Sequence, residues 1–348
     1  MKLFLKKIAL YSIPLVVMIF SINITIDPAN IISGVELNIA KYLVEGLNVK
    51  NIPNVDERML QKHVILNLKK CPKTIILGSS RIMLVGENFY DTNSLNNGVS
   101  GASIEDLIAI YQLYIQKGCS LDKVVIGVDP WLFNENNGQS RWTSLKNEYN
   151  GFSKTNNRNL FENLSFFKYS QLLSISYFQA SLKKLYQNIK SEKTNIEPTK
   201  NKINSTFTRL IDGTISYDLQ YRTVTAKDLD NRIKSYITGD LYSIEKYNNL
   251  SKDKILEFES FIKKIKEQNI AIEFLLMPYP SIVYDYIESN HKYINVIKTE
   301  EYIKKYSRDN NIIVKGSYDP KMFKLNANDF YDGMHLTPCG IAKVLDSK

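Results

Sequence analysis

Thr74-Ile75-Ile76-Leu77-Gly78-Ser79-Ser80 joins a short apolar, β-rich run to a glycine and two serines. A run of this length that ends at a turn residue is typical of a strand buried on both faces of a parallel sheet. Similar runs recur at Lys123–Val128, Ile270–Leu276 and Ile312–Val314, each after a segment with helical spacing of apolar residues. This alternation predicts an α/β fold whose parallel sheet is covered by helices on both faces.

The segment from about 135 to 250 interrupts the alternation of strands and helices. It is rich in Asn, Ser, Lys and Tyr, and its one amphipathic helix candidate runs from Phe166 to Ile189. We interpret it as a large, mostly helical insertion that covers the carboxyl edge of the sheet within a domain spanning residues 31–348. Two alternatives remain open: the insertion shapes the substrate site, or it elaborates the fold without touching it.

The amino terminus carries an apolar run behind basic residues. Lys2, Lys6 and Lys7 precede an uncharged segment from Ile8 to Ile26, which lacks a convincing cleavage site. About 19 helical residues at ~1.5 Å each cross a hydrocarbon core of ~30 Å. Residues 1–30 are therefore expected to be a cytoplasmic tip and an uncleaved transmembrane signal anchor. Because basic residues before a span stay in the cytoplasm, the rest of the chain is expected outside it.

Charge and cysteine content exclude several function classes. The 348 residues carry 45 Lys and Arg against 36 Asp and Glu, a formal charge of +9, but the two signs are interleaved. No basic block with interleaved aromatics indicates nucleic-acid binding, whereas a mildly basic surface suits an acidic glycan or anionic lipid head groups. Cys71, Cys119 and Cys339 are odd in number and widely spaced, so we expect buried apolar cysteines, no disulfide framework, and neither a metal nor a cofactor.

Four polar motifs stand at the ends of the predicted strands. They are Gly78-Ser79-Ser80, Asn97-Gly98-Val99-Ser100-Gly101, Asp129-Pro130-Trp131 and Asp332-Gly333-Met334-His335. In an open parallel sheet, ligands bind where the loops at the carboxyl ends of the strands converge. The four motifs are therefore predicted to form one site.

Histidine is scarce in this chain, which narrows the choice of a general base. His63 lies in an amphipathic helix and His291 in a polar stretch, whereas His335 follows Asp332 by three residues in a Gly- and Pro-rich loop. A serine hydroxyl becomes a good nucleophile when a neighbouring base accepts its proton. His335 is the candidate base, and a serine on the turn after the first strand is the candidate nucleophile.

The order of these motifs resembles the SGNH or GDSL hydrolase superfamily over residues 72–132 and 270–345. The anchor, the Gly78–Arg81 block and Gly316–Pro320 are also similar to envelope proteins of polysaccharide-modifying systems, namely the alginate O-acetylation proteins and the D-alanyl-transfer protein of teichoic acids. The resemblance implies a flavodoxin-like, three-layer SGNH fold with a central parallel sheet.

The resemblance also implies roles for individual residues. Ser80 matches the nucleophile, His335 the base, and Asp332 the carboxylate that orients the base. The Ser80 and Gly101 N–H groups match two oxyanion donors, but Asp129 stands where the family has a donating asparagine. Three explanations remain: Asp129 is protonated, it positions Trp131 or a substrate hydroxyl, or the chain uses another third donor. We favour the second.

These expectations combine into one hypothesis about function. The chain is expected to be a membrane-anchored serine acyltransferase or esterase that adds or removes an acyl group, of which acetyl is the first choice, on a cell-surface polysaccharide. A multi-spanning membrane O-acyltransferase is the expected source of acyl groups if the reaction is transfer. The alternative is a non-catalytic glycan-binding or assembly protein with the same fold.

Overall fold

The computed structural model of the chain describes residues 2–26, 34–153, 173–190 and 196–346. Its α-helices are α1 Lys2–Ile26, α2 Val35–Val44, α3 Glu57–Asn67, α4 Ile104–Lys117, α5 Lys146–Ser153, α6 Ile175–Lys190, α7 Leu219–Arg222, α8 Ala226–Ser235, α9 Lys252–Glu267, α10 Ser281–Ser289, α11 Ile294–Asn310 and α12 Pro338–Leu345. Its strands are β1 Asn48–Lys50, β2 Thr74–Leu77, β3 Ser94–Asn96, β4 Lys123–Gly127, β5 Glu197–Thr199, β6 Thr208–Arg209, β7 Ile215–Ser216, β8 Ala271–Leu276 and β9 Ile313–Gly316.

The main sheet has the spatial order β3-β2-β4-β8-β9, and all neighbouring strands in it are parallel. Counted along the chain, this order is 2-1-3-4-5, which is the order of flavodoxin-like sheets. The predicted α/β class and parallel sheet are confirmed. In such a sheet the strand order reverses beside the first strand, so ligand-binding loops are expected after β2 and β4.

Both faces of the main sheet are buried. Ile75 and Leu77 of β2 belong to the larger apolar core, whereas Ile76 between them belongs to a smaller one. Successive side chains of a strand point to opposite faces, so the two cores lie on opposite sides of the sheet. Residues of α3, α4, α9 and α11 contribute to the larger core, and Ile341 and Val344 of α12 to the smaller one.

The insertion contains strands as well as helices. β5, β6 and β7 form an antiparallel sheet with β1, in the order β5-β1-β6-β7. The side chain of Asn48 in β1 fastens this sheet, since it donates to Asn201 O at 3.1 Å and accepts from Ile211 N at 3.0 Å. Strands of two or three residues are too short to show an alternation of apolar and polar residues, so the sequence predicted a mostly helical insertion without them.

The helix expected from Phe166 to Ile189 corresponds in part to α6, and residues 166–172 lie outside the described residues. α6 packs against α1, where Ser181 Oγ donates to Asn23 Oδ1 at 2.8 Å. The expected membrane span at residues 1–30 is not supported: in the described ranges, no helix has the length and hydropathy needed to cross a bilayer.

Cys71 and Cys119 form a disulfide, with their Cα atoms 5.6 Å apart. The expectation of no disulfide was therefore wrong. The bond joins the segment before β2 to the turn after α4, two points that meet only when α4 packs back along the sheet. Cys339, expected to be buried, is an exposed free thiol in the first turn of α12, where the following Gly340 and Ile341 face the interior.

We predict that the disulfide stabilises the fold by about 4 kcal/mol, because it closes a loop with a sequence separation of 48 residues. Replacing both Cys71 and Cys119 with Ser should lower the free energy of unfolding in urea by that amount. Cys339→Ser is the matched control and should leave it unchanged. Equal stability of the double variant and the parent would contradict the assignment.

Candidate active site

Ser80 stands on a sharp turn directly after β2. Gly78 ends the strand with φ +154°, and a Cβ there would lie 2.8 Å from Ile82 Cγ1 and 3.2 Å from the Gly127 backbone. Ser80 opens a 3₁₀ turn that runs to Ile82, and Ser79 caps it by accepting from Arg81 N at 3.2 Å. The turn thus leaves the Ser80 side chain partly exposed at the carboxyl end of β2.

The structure brings the three predicted catalytic residues together. His335 Nε2 lies 2.9 Å from Ser80 Oγ, and His335 Nδ1 lies 2.8 Å from Asp332 Oδ2. Both distances fall within the roughly 2.6–3.2 Å expected between a nucleophile, its base and the group that orients the base. Ser80, His335 and Asp332 therefore have the geometry of a Ser-His-Asp triad.

A tight loop presents Asp332 and His335 to the same point. Asp332 Oδ1 accepts from Met334 N and His335 N, each at 2.8 Å. Tyr331 N donates to His335 O at 2.8 Å, and Phe330 forms an antiparallel bridge with Leu336. The backbone closes on the Asp332 side chain, which fixes the carboxylate beside the imidazole.

The surroundings of Asp332 favour its ionised form. Burial alone would raise the pKa of this carboxyl. The hydrogen bond and charge of His335, together with bonds from Tyr221 and Met334 N, outweigh burial and lower the pKa of Asp332 to about 2. The carboxylate is therefore charged over the whole physiological range, as required of a group that stabilises an imidazolium.

Tyr221 in α7 is a site residue that the sequence did not reveal. Its hydroxyl donates to Asp332 Oδ2, the same oxygen that faces His335 Nδ1. Tyr217 packs beside it, with ring centroids 4.8 Å from Tyr221 and 6.4 Å from His335. Both tyrosines belong to the insertion, so the insertion contacts Asp332 and His335. The only sequence signal was the abundance of tyrosine there.

Arg81 is the second site residue that the sequence did not assign, although it follows Ser80 directly. Its guanidinium is fully buried and donates to Met334 O at 3.2 Å, to Pro278 O at 3.0 Å and to Met277 O. It also stacks on Tyr279, 4.0 Å from the ring centroid. Arg81 thereby ties the nucleophile turn to the His335 loop and to the end of β8.

Asp129 is the counter-ion of Arg81. Asp129 Oδ1 lies 3.3 Å from Arg81 Nη1, the carboxyl is buried, and Ser79 also hydrogen-bonds to it. Burial raises the pKa of Asp129, and the Arg81 charge with the Ser79 hydrogen bond opposes that rise. A carboxylate that accepts from Arg81 and Ser79 does not supply an oxyanion donor. Trp131 Nε1 donates to Ala102 O, so Asp129 does not position Trp131 through that donor, as the favoured explanation expected.

The loop that carries Gly101 is attached to the nucleophile turn. Asn96 Nδ2 donates to Ile82 O and Val85 O, each at 2.7 Å, and Val99 N donates to Gly78 O at 3.0 Å. Gly101 has φ +55°, a left-handed conformation that favours glycine. Its N–H and that of Ser80 remain the two candidate oxyanion donors.

Trp131, which was expected at the substrate site, lies inside the protein. Its ring is buried, and its Nε1 donates to Ala102 O at 3.0 Å. The indole thus supports the backbone next to Gly101 and is not open to a substrate. The described residues contain no cluster of three or more His, Cys, Asp or Glu side chains that could hold a metal ion.

Comparison with protein-family models finds no match for this chain, and comparison with curated proteins finds no relative. The assignment of a function therefore depends on the geometry of the site.

We predict that Tyr221→Phe raises the pKa of Asp332 from about 2 towards its ordinary value of 3.8, because one donor to the carboxylate is lost. A depressed carboxyl pKa stabilises the fold above the unfolded-state pKa, and that stabilisation disappears as the pH falls through the folded-state pKa. As the pH falls below the unfolded-state pKa, the variant should therefore lose less stability than the parent, and its loss should be complete at a higher pH. Unfolding free energies measured down to about pH 2 test this, with Tyr286→Phe in α10 as control. Superimposable curves would contradict the role of Tyr221.

We also predict that Arg81→Met lowers the free energy of unfolding by about 3–5 kcal/mol, because it leaves a buried carboxylate without its counter-ion. Adding Asp129→Asn removes that charge and should recover part of the loss. Urea unfolding of the single and double variants measures the coupling. Strictly additive losses would show that the two side chains are not an ion pair.

Proposed function

We propose that this protein is an SGNH-type serine acyltransferase or esterase that works through an acyl-Ser80 intermediate. The observation that carries the proposal is the continuous hydrogen-bonded line from Ser80 Oγ through the His335 imidazole to Asp332 Oδ2. The position of this line at the carboxyl ends of parallel strands, beside the point where strand order reverses, also supports it.

The geometry supports a two-step acyl exchange. Ser80 Oγ attacks the carbonyl carbon of an ester donor while its proton passes to His335 Nε2, and His335 then protonates the leaving alkoxide. In the second step an acceptor hydroxyl gives its proton to His335 and attacks the acyl carbon. Ser80 Oγ leaves and takes the proton back. Asp332 stabilises the imidazolium in both steps, and the Ser80 and Gly101 N–H groups stabilise the oxyanion.

The acceptor decides between transferase and esterase. A sugar hydroxyl as acceptor gives an O-acylated polysaccharide, and water gives hydrolysis. We propose a cell-surface polysaccharide as substrate, acetyl as the acyl group, and a multi-spanning membrane O-acyltransferase as the donor in the transfer case. Tyr217 of the insertion lies beside His335, with ring centroids 6.4 Å apart, so the insertion would help to shape the site that admits the acceptor.

We place the catalytic domain outside the cytoplasm. The Cys71–Cys119 disulfide supports this location, since disulfides persist in oxidising compartments. Attachment to the cytoplasmic membrane through residues 1–30 is part of the proposal, and the apolar run behind Lys2, Lys6 and Lys7 supports it.

We predict that a serine-reactive fluorophosphonate labels the protein on Ser80. Mass spectrometry of the digested protein should locate the adduct there. Ser80→Ala should abolish labelling, and His335→Ala should slow it by at least about a hundredfold, the usual contribution of a general base. Ser205→Ala, a change at an exposed serine, is the control and should react like the parent.

The alternative, a non-catalytic glycan-binding or assembly protein, draws support from one observation: the Asp129 carboxylate, where the family has a donor, is occupied by Arg81. Absence of phosphonate labelling, together with glycan binding that His335→Ala leaves unchanged, would favour this alternative and contradict the acyl-enzyme.

A further inference from the structure

A solvent-open cavity of about 610 Å³ lies between the segment 137–141 and the segment 240–245. Both segments belong to the insertion. The cavity borders Gly101: a Cβ on that residue would strike Tyr242 Oη and would lie 2.6 Å from Arg141 Nη2 and 2.9 Å from Gln139 Nε2. Since Gly101 carries a candidate oxyanion donor, the cavity borders the backbone of that donor.

The cavity has a defined hydrogen-bonding arrangement. Gln139 Nε2 donates to Gly101 O at 2.7 Å, and Gln139 Oε1 accepts from Arg141 Nε at 2.9 Å. Arg141 Nη2 donates to Tyr242 Oη at 3.3 Å. Both acceptors of the exposed guanidinium are neutral, so these bonds orient its charge without neutralising it. Arg141 is thereby held ready to bind a ligand oxygen.

The cavity also contains an anionic group and an aromatic ring. Glu245 lines the cavity, and its carboxylate gives the wall an acceptor for ligand hydroxyls. Tyr242 adds an aromatic surface: its ring meets Trp131 edge-on at 5.5 Å and is 40% exposed.

From these features we infer that the cavity is an acceptor subsite for one sugar residue of a glycan, recognised through its hydroxyls. Neighbouring hydroxyls of a pyranose ring can accept from a guanidinium fork and donate to a carboxylate, and its C–H face can pack on an aromatic ring. That the bound sugar accepts the acyl group rests on the proposed function, whereas the binding of a sugar in the cavity does not.

In that reaction the bound sugar supplies the acceptor hydroxyl. Its oxygen forms the new ester bond to the acyl carbon, its proton moves to His335 Nε2, and the bond to Ser80 Oγ breaks as Ser80 recovers the proton. Gly101 lies between the catalytic site and the cavity. Its backbone N–H is a candidate oxyanion donor, and its carbonyl accepts a hydrogen bond from Gln139, which lines the cavity.

The test is binding of the full-length Ser80→Ala protein to an array of neutral and acidic oligosaccharides. We expect the Ser80→Ala protein to bind a subset of these sugars. The Ser80→Ala/Arg141→Ala double variant should bind them about tenfold or more weakly, because a charge-assisted hydrogen bond is lost. Tyr242→Phe keeps the ring on Trp131 and should weaken binding less. Arg308→Ala, at an exposed arginine of α11, should bind like the Ser80→Ala parent.

Absence of binding to every oligosaccharide, or binding that Arg141→Ala leaves unchanged, would overturn the sugar subsite. The outcome is independent of the acyl-enzyme, since Ser80 is absent from every protein tested. If sugar binding depends on Arg141 but the protein with Ser80 intact is not labelled by the phosphonate, the subsite is supported and the proposed function is contradicted. If Ser80 is labelled but no sugar binding depends on Arg141, the subsite alone is contradicted.

Discussion

The buried guanidinium of Arg81 is the interaction on which the site depends. It lies one residue after the proposed nucleophile and binds the carbonyl of Met334, one residue before the proposed base. It also binds the end of β8 and the carboxylate that follows β4. A buried cation is tolerated only when its hydrogen bonds are satisfied, so these groups must come together for the chain to fold. The same requirement fixes the distance between Ser80 and His335.

This arrangement gives Asp129 a physical explanation. A donor at that position would be able to face an oxyanion, but a carboxylate there neutralises Arg81 inside the protein. The Arg81–Asp129 pair thereby connects the Ser80 turn, the His335 loop and the end of β8. The insertion compensates at the other end of the triad, where Tyr221 holds Asp332 beside His335.

The strands of the main sheet and the Asp332–His335 pair could be predicted from the sequence because their signals are local, whereas the pairing of Ser80 with His335, 255 positions apart, was predicted from the resemblance to a known family. An apolar run that ends at Gly78 defines β2, and the three-residue spacing of Asp332 and His335 places both on one loop. The disulfide, the Arg81–Asp129 pair and the Tyr221 contact could not be predicted, since each joins residues about 50 or more positions apart. Such pairings depend on how helices return along the sheet, which periodicity does not encode. The short strands β5 and β6 could not be predicted for a related reason: their partner β1 lies about 150 residues earlier.

The central claim is that Ser80 carries the acyl group during turnover. The most direct measurement is rapid mixing of the protein with an activated acetyl ester, acid quenching, and mass spectrometry of the peptide that contains Ser80. The account predicts one acetyl group on Ser80, which appears within the first turnover and disappears when donor is exhausted. A protein that consumes the ester while Ser80 stays unmodified, or that accumulates the acetyl group on another residue, would contradict it.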